Sequence, residues 1–539
     1  MLQRKVYQVD QPRMGVGRGL GGDWAIGPSC RSMPGKDTPM ICRTLNKSSC
    51  RFLVGLLLGL LAAPVFAGSG QVDLTITDAD TGKPIGARVT VRDGRGRTKR
   101  FPNCVWQGEA TYVFYQANLK LPEGNYQFQV DAGPEYRLFS GNFDVMSGAE
   151  STQPIKMERT VDLNEEGWQV AEINVFGAPD ELGVILDSLG VDLGAWNPEL
   201  SKRSRSRGKS FHAPTQPESR LLSSTLGKGN FGGGFHMIQP EAQPTDVSTK
   251  EMPEIIEGVE AAIRWKKLHR NGLIIADSAL ANELPLWLGL ELIDGIGLIP
   301  WFIGELAEQI PGRGYNIDRK MLRDNLALAH WNEKHYYELL ECGLKLPATA
   351  TSQWKTPKQP LGTNRLMLAS TDSATDPLVG LRVGETWVTN GPLVRIRANG
   401  KLPGHTFTAE QGGHVSLNLS LRVSTRYRLA PLEIVKNGEV IQTVDLRELV
   451  KNRGIIPSIP FEESGWLLVR AAAEDQKNYR AAITSPFYVE INQKPRINTQ
   501  AVQAQIERLD TLLEDEGEDS LPEEIVRKAR TFWHDKLEN

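Results

Sequence analysis

The stretch 171–182, AEINVFGAPDEL, reads as a short strand that runs through a loop into a helix. In α/β proteins the reacting groups stand at the carboxyl ends of strands. This strand end offers the carboxylate of Glu172, the amide of Asn174 and then the ring of Phe176. It has no His, no Cys and no glycine-rich phosphate loop.

The other chemistry-bearing spacings are weak. Residues 227–232, GKGNFG, match GxGxxG, but a dinucleotide loop needs a strand before it and a helix after it. Here the motif sits in a low-complexity region and meets GGGFHMIQP, so nucleotide binding is not expected. The basic run 201–210, SKRSRSRGKS, lacks interleaved aromatics and reads as a solvated loop. His330 and His335 are five apart, where metal ligands on one helix face want three or four. They read as cap or surface residues, and His405 beside its Pro-Gly turn as a turn hydrogen-bonder. No GxSxG nucleophile elbow occurs, and the acidic run 514–519 reads as solvated.

The elements that must position these groups fall into several units. A chain of 539 residues suffices for three or four domains. Its apolar share of 40% and charged share of 24% are those of a globular protein, and a net charge of −3 gives no global attraction to nucleic acid. Residues 1–67 read as an extended or spurious N-terminus followed by a secretory signal, an apolar run from Phe52 ending in VFA before Gly68. The run is short and holds Pro64, so no transmembrane span is expected after cleavage. Met40 is the expected true start, and the protein is expected to be exported, periplasmic or extracellular. Of the cysteines left after cleavage, Cys104 and Cys342 fall in different expected domains, which disfavours a bridge. There is no CxxC zinc pattern.

Residues 68–160 alternate apolar and polar between turns and predict a β-sandwich. Residues 165–395 alternate short strands with helices and predict a parallel sheet or barrel. A Ser-, Arg-, Gly- and Pro-rich surface insertion is expected at about 199–250. Alternation returns over 396–492, with KNGE as a hairpin turn, and predicts a second β-sandwich. The tail 498–539 reads as two amphipathic helical stretches.

Two sets of segments carry resemblances. The run VDLTITDADTGKPIGARVTVRD resembles transthyretin-type, carboxypeptidase-regulatory-like modules. The segments HYYELLECGLKLPATATS, PLGTNRLML and LRVGETWVTNGPLVRIRANGKLPGHTF, in that order, resemble the CehA/McbA-like (carbaryl-hydrolase-like) branch of the PHP-type metallohydrolases. The likeness runs over roughly residues 70–539, with the insertion poorly matched. It implies a PHP-type (β/α)7 barrel between an N-terminal and a C-terminal β-sandwich. It also implies metal-activated water acting on ester or phosphoester bonds.

The metal-ligand pattern that the resemblance implies is degenerate in this chain. Where the family carries D-L-H-x-H, this strand keeps Glu172 and places Asn174 and Phe176 at the imidazole positions. Phe302 stands where another His is implied, and LIIADSALANELPLW keeps Asp277 and Glu283 without a His. A hydrolytic site needs several deprotonated ligands in fixed geometry. The expectation is therefore a scaffold that has lost its metal site, needs no cofactor, and binds an unknown small molecule or cell-envelope component. The alternative is a reduced hydrolase site in which Glu172, Asn174, Asp277 and Glu283, helped by His236, hold one zinc or manganese ion.

Overall fold

The structure is a computed structural model. It describes residues 68–197, 220–240, 255–303, 314–318, 320, 324–352, 361–370, 376–475, 477–517 and 520–538. The expected signal segment and the basic run 201–210 lie outside the described residues. The described residues are mostly β, with four sheets and few helices among them.

Alternation builds the N-terminal sandwich. Along Ser69–Asp78 every second side chain is buried, because successive residues of a strand point to opposite faces. This strand pairs antiparallel with Gln116–Pro122 and parallel with Glu150–Met157. A six-stranded sheet with Gly86–Asp93 and Gly124–Asp131 at its centre covers it. Leu74, Ile76, Val89, Val130 and Ile155 fill the space between. The carboxylate of Asp78 ends the strand by accepting from Tyr136 at 3.0 Å and from Arg159 Nε at 3.1 Å.

The middle of the chain forms one large mixed sheet. From one edge it runs Ala348–Ala350, Gly295–Ile299, Leu273–Ala276, Gly234–Gln239, Arg220–Lys228, Leu193–Trp196, Trp168–Val175, Arg365–Ala369 and Thr386–Thr389. Trp168–Val175, Leu193–Trp196 and Arg220–Lys228 are parallel, as are Leu273–Ala276, Gly295–Ile299 and Ala348–Ala350. Gly234–Gln239 runs antiparallel to both its neighbours. The expected parallel arrangement is thus interrupted by a hairpin. Its two strands fall inside the span 199–250 expected to be a surface insertion. They carry buried apolar residues such as Leu222, Met237 and Ile238, and burial sets their place in the sheet. The sheet also curls: Ala348–Ala350 comes back beside Thr386–Thr389, and the Thr386 hydroxyl donates to the Ala348 carbonyl at 3.0 Å.

The same sheet continues beyond Thr386–Thr389 through Ala481–Thr484, Gly465–Ala472, Leu432–Lys436 and Glu439–Val444. A three-stranded sheet of Leu393–Ala398, Val415–Ser424 and Ile455–Phe461 packs over that extension. The shared core includes Leu417, Leu419, Phe461, Leu467 and Val469. The expected division at 395/396 falls within the strand Leu393–Ala398. The KNGE turn forms as read, with Asn437 at φ 51° and Gly438 at φ 85°, the left-handed pair of a tight hairpin.

The tail helices Thr499–Glu516 and Glu523–Glu538 lie against the middle unit. Val502, Leu509, Leu513 and Trp533 are buried there, and the Trp533 indole donates to the Pro285 carbonyl at 2.8 Å. Asn498 caps the first helix by accepting from the N–H groups of Gln500 and Ala501 at 3.0 and 3.3 Å. Among the described residues no helix is long and apolar enough to cross a membrane. Cys104 and Cys342 are free thiols, the first half-buried in the N-terminal sandwich and the second buried at the end of the helix Asn325–Glu341.

Candidate functional site

Glu172 lies on the strand Trp168–Val175 and is 1% exposed. Its Oε1 accepts the backbone N–H of Ser352 at 3.0 Å and that of Asn174 at 3.4 Å. Its Oε2 accepts the N–H of Gly362 at 3.3 Å. Burial pushes this carboxyl above its ordinary range, and the surrounding donors counteract that only in part. The segment that supplies Ser352 is tied down in turn. Ser352 Oγ donates to the Asn364 carbonyl at 3.1 Å and accepts the Asn364 N–H at 3.0 Å. The Asn364 amide donates to the carbonyls of Thr351 and Ile303 at 2.9 and 3.0 Å. Glu172 therefore staples the ends of three separate chain segments together.

Glu283 is held by a different set of partners. It is fully buried and accepts the N–H groups of Asn230 at 3.0 Å and Phe231 at 2.6 Å, with the Trp287 indole at 3.3 Å. The GKGNFG stretch thus ends the strand Arg220–Lys228 and enters the turn to Gly234–Gln239, which wraps around this carboxylate. Gly229 is required there, since a Cβ would stand 2.0 Å from Glu283 Oε1.

Asp277 follows the strand Leu273–Ala276. Its Oδ2 accepts from the Tyr315 hydroxyl at 3.2 Å, and its Oδ1 lies 2.7 Å from His236 Nε2 without the alignment of a hydrogen bond. Burial and the Asp277 charge push the Tyr315 hydroxyl well above its ordinary value. Asn174 is half-buried on the Glu172 strand and gives Glu172 only its backbone N–H. Phe176 is 7% exposed and Phe302 fully buried. The Phe302 ring meets Trp301 and Tyr315 edge-on at 5.3 and 5.7 Å, an arrangement that favours tight aromatic packing.

The structure thus brings Asp277 and His236 together and leaves Glu172 and Glu283 in two other networks. Among the described residues no group of three or more His, Cys, Asp or Glu side chains could hold a metal ion. The residues present do not fit the metal cluster of a PHP-type hydrolase. A metal needs free carboxylate lone pairs, and both oxygens of Glu172 and of Glu283 accept from N–H donors, backbone amides and, for Glu283, the Trp287 indole.

The remaining histidines divide. His330 is exposed, as expected, and touches Arg470 at 3.2 Å. His335 departs from the surface reading: it is 4% exposed within Asn325–Glu341, with Nδ1 3.0 Å from the Trp331 carbonyl oxygen. His405 packs its ring on Phe407 at 4.6 Å. Two key residues escaped sequence reading. Asn332 is fully buried and joins its helix to the strand ends, accepting from Ser278 Oγ at 2.7 Å and donating to the Gly297 carbonyl at 3.0 Å. Asn364 does the same for the segment around Ser352. A single Asn belongs to no spacing pattern by which the sequence could single it out.

No family model matches the chain, and no curated protein matches it. Several solved structures show partial likeness. The TIE protein of Bacillus anthracis is 18% identical, with 21% of this chain and 19% of that chain covered and a TM-score of 0.14. GBS52, the minor pilin of Streptococcus agalactiae, is 18% identical over 18% of this chain and 46% of that one, with a TM-score of 0.15. BcpA, the major pilin subunit of Bacillus cereus, is 8% identical over 78% of this chain and 69% of that one, with a TM-score of 0.22. The chain thus spans less than half the length of the first two, and none of the three reaches a score from which a shared fold follows.

Proposed function

We propose that this chain is an exported, non-catalytic relative of the CehA/McbA-like PHP-type metallohydrolases. It would act as a binding or structural protein. On this reading the curled middle sheet is a modified PHP-type (β/α)7 barrel, flanked by its two sandwiches. The observation that carries the proposal is the fate of Glu172. The carboxylate kept at the implied ligand strand is engaged at both oxygens by backbone N–H groups. A buried carboxylate used in this way is a structural bracket. Phe176 and Phe302, buried at the other implied ligand positions, add packing where ligands would stand.

One observation favours the alternative of a reduced hydrolase. His236 Nε2 and Asp277 Oδ1 face each other at 2.7 Å as a two-ligand start of a metal site. Elemental mass spectrometry separates the readings. The purified chain, without chelator or His-tag, is incubated with zinc or manganese and desalted. Substoichiometric metal is expected. A full equivalent that disappears in His236→Ala and is accompanied by esterase or phosphoesterase activity would overturn the proposal.

A further inference from the structure

A cavity of about 240 Å³ opens where the N-terminal sandwich, the middle sheet and the C-terminal sheets meet. Its wall carries four arginines, Arg88, Arg365, Arg426 and Arg480, against one carboxylate, Asp131. Asp131 is fully engaged: Oδ2 pairs with Arg88 Nη2 and Oδ1 with Arg426 Nη1, both at 3.0 Å. Arg426 also donates through Nε to the Tyr136 carbonyl at 2.7 Å.

Arg365 is 4% exposed. Its guanidinium donates to the carbonyls of Leu189 at 2.7 Å, Gly362 at 2.8 Å and Gly190 at 3.3 Å. Carbonyl acceptors orient a guanidinium without neutralising it, and the carboxylates of Glu135, Asp131 and Glu172 act on it only through space. Among the described residues no carboxylate lies within ion-pair distance of it. Burial accordingly pulls Arg365 down to about 10. On the outer wall the Arg480 guanidinium stacks over the Tyr427 ring at 4.8 Å, donates to the Tyr427 hydroxyl at 3.3 Å and pairs with Asp475 at 3.9 Å.

Buried charge is costly unless something of opposite sign accompanies it. Arginine forks match the oxygens of a tetrahedral oxyanion. We propose that this junction cavity binds a small phosphate-bearing ligand, held by Arg88, Arg365, Arg426 and Arg480. Because those arginines come from three regions of the chain, the ligand also ties the N-terminal sandwich to the rest of the fold. The site adjoins the Glu172 bracket, since Gly362 lines the cavity and donates its N–H to Glu172 Oε2, but its arginines are none of the candidate metal residues.

The test is calorimetric and thermal titration of the full chain with inorganic phosphate and with glycerol 3-phosphate, against sodium chloride at matched ionic strength. Saturable binding and a rise in Tm beyond the chloride control are expected. Tighter binding of the ester by tenfold or more would identify an organic phosphate as the ligand, and equal affinity would identify free phosphate; both support the site. Arg480→Gln and Arg88→Gln, each on a cavity edge, should weaken binding at least tenfold, while Arg97→Gln on the exposed sandwich surface should leave it unchanged. Stabilisation no greater than that of chloride would overturn the proposal, as would unchanged affinity in both cavity variants.

Discussion

Glu172 Oε1 accepts the backbone N–H of Ser352 at 3.0 Å across 180 residues of chain. This bond converts a position that could ligate a metal into a closure of the curled sheet. Removing the carboxylate leaves the N–H groups of Ser352, Gly362 and Asn174 buried without it.

Glu172→Ala should therefore cost about 3 kcal/mol, since each orphaned buried donor is expensive. Urea denaturation should show a lower midpoint with an unchanged m-value. A variant as stable as the parent would remove the bracket role.

The helix Asn325–Glu341 is tied to the strand Gly465–Ala472 by a buried ion pair between Glu333 and Arg470, with Tyr479 donating to the same carboxylate. Arg470 Nε also reaches Glu433 at 2.5 Å. Breaking one side of such a pair strands a buried charge. Arg470→Met should destabilise by about 3–5 kcal/mol, and adding Glu333→Gln should recover part of that loss. Equal stability of the single and double variants in urea would refute the coupling.

Burial opposes ionisation of Glu333, but His330 and Arg470 outweigh it and hold the carboxyl below its ordinary value of 4.5. Its contribution is present above that value and is lost as pH falls through the lower folded one. Glu135 behaves oppositely. Burial pushes it from 4.5 up to about 7, against the Leu163 N–H, which it accepts at 2.8 Å. A raised carboxyl binds its proton more tightly in the folded state. Its contribution is therefore complete below the ordinary value and is lost as pH rises through the folded one. Glu135→Gln should flatten the fall in stability between pH 5 and 8 by up to about 3 kcal/mol. Denaturation midpoints across that range check it, and an unchanged slope would rule out Glu135 as its source.

Local pattern made much of this protein legible. Alternation located the strands of the N-terminal sandwich, and the KNGE pair specified its own turn through the left-handed backbone it demands. Local pattern located Trp168–Val175, Leu273–Ala276 and Gly295–Ile299 as strands, and the tail as two helical stretches. The low-complexity span around 220–239 misled, because its Ser, Thr and Gly residues hide strands that are buried on both faces.

The identities of Glu172, Asn174, Phe176 and Phe302 are a property of the sequence, and on the proposed family reading the last three stand where imidazoles would be. What those side chains do instead was decided by tertiary structure. Whether a carboxylate ligates, titrates or braces depends on which amides face it. For Glu172 these come from Ser352 and Gly362, and for Glu283 from a glycine-bearing turn some 50 residues upstream. The arginine cavity has the same origin. Its four guanidinium groups are scattered over nearly 400 residues of chain, and only the packing of three regions against one another gathers their charge in one place.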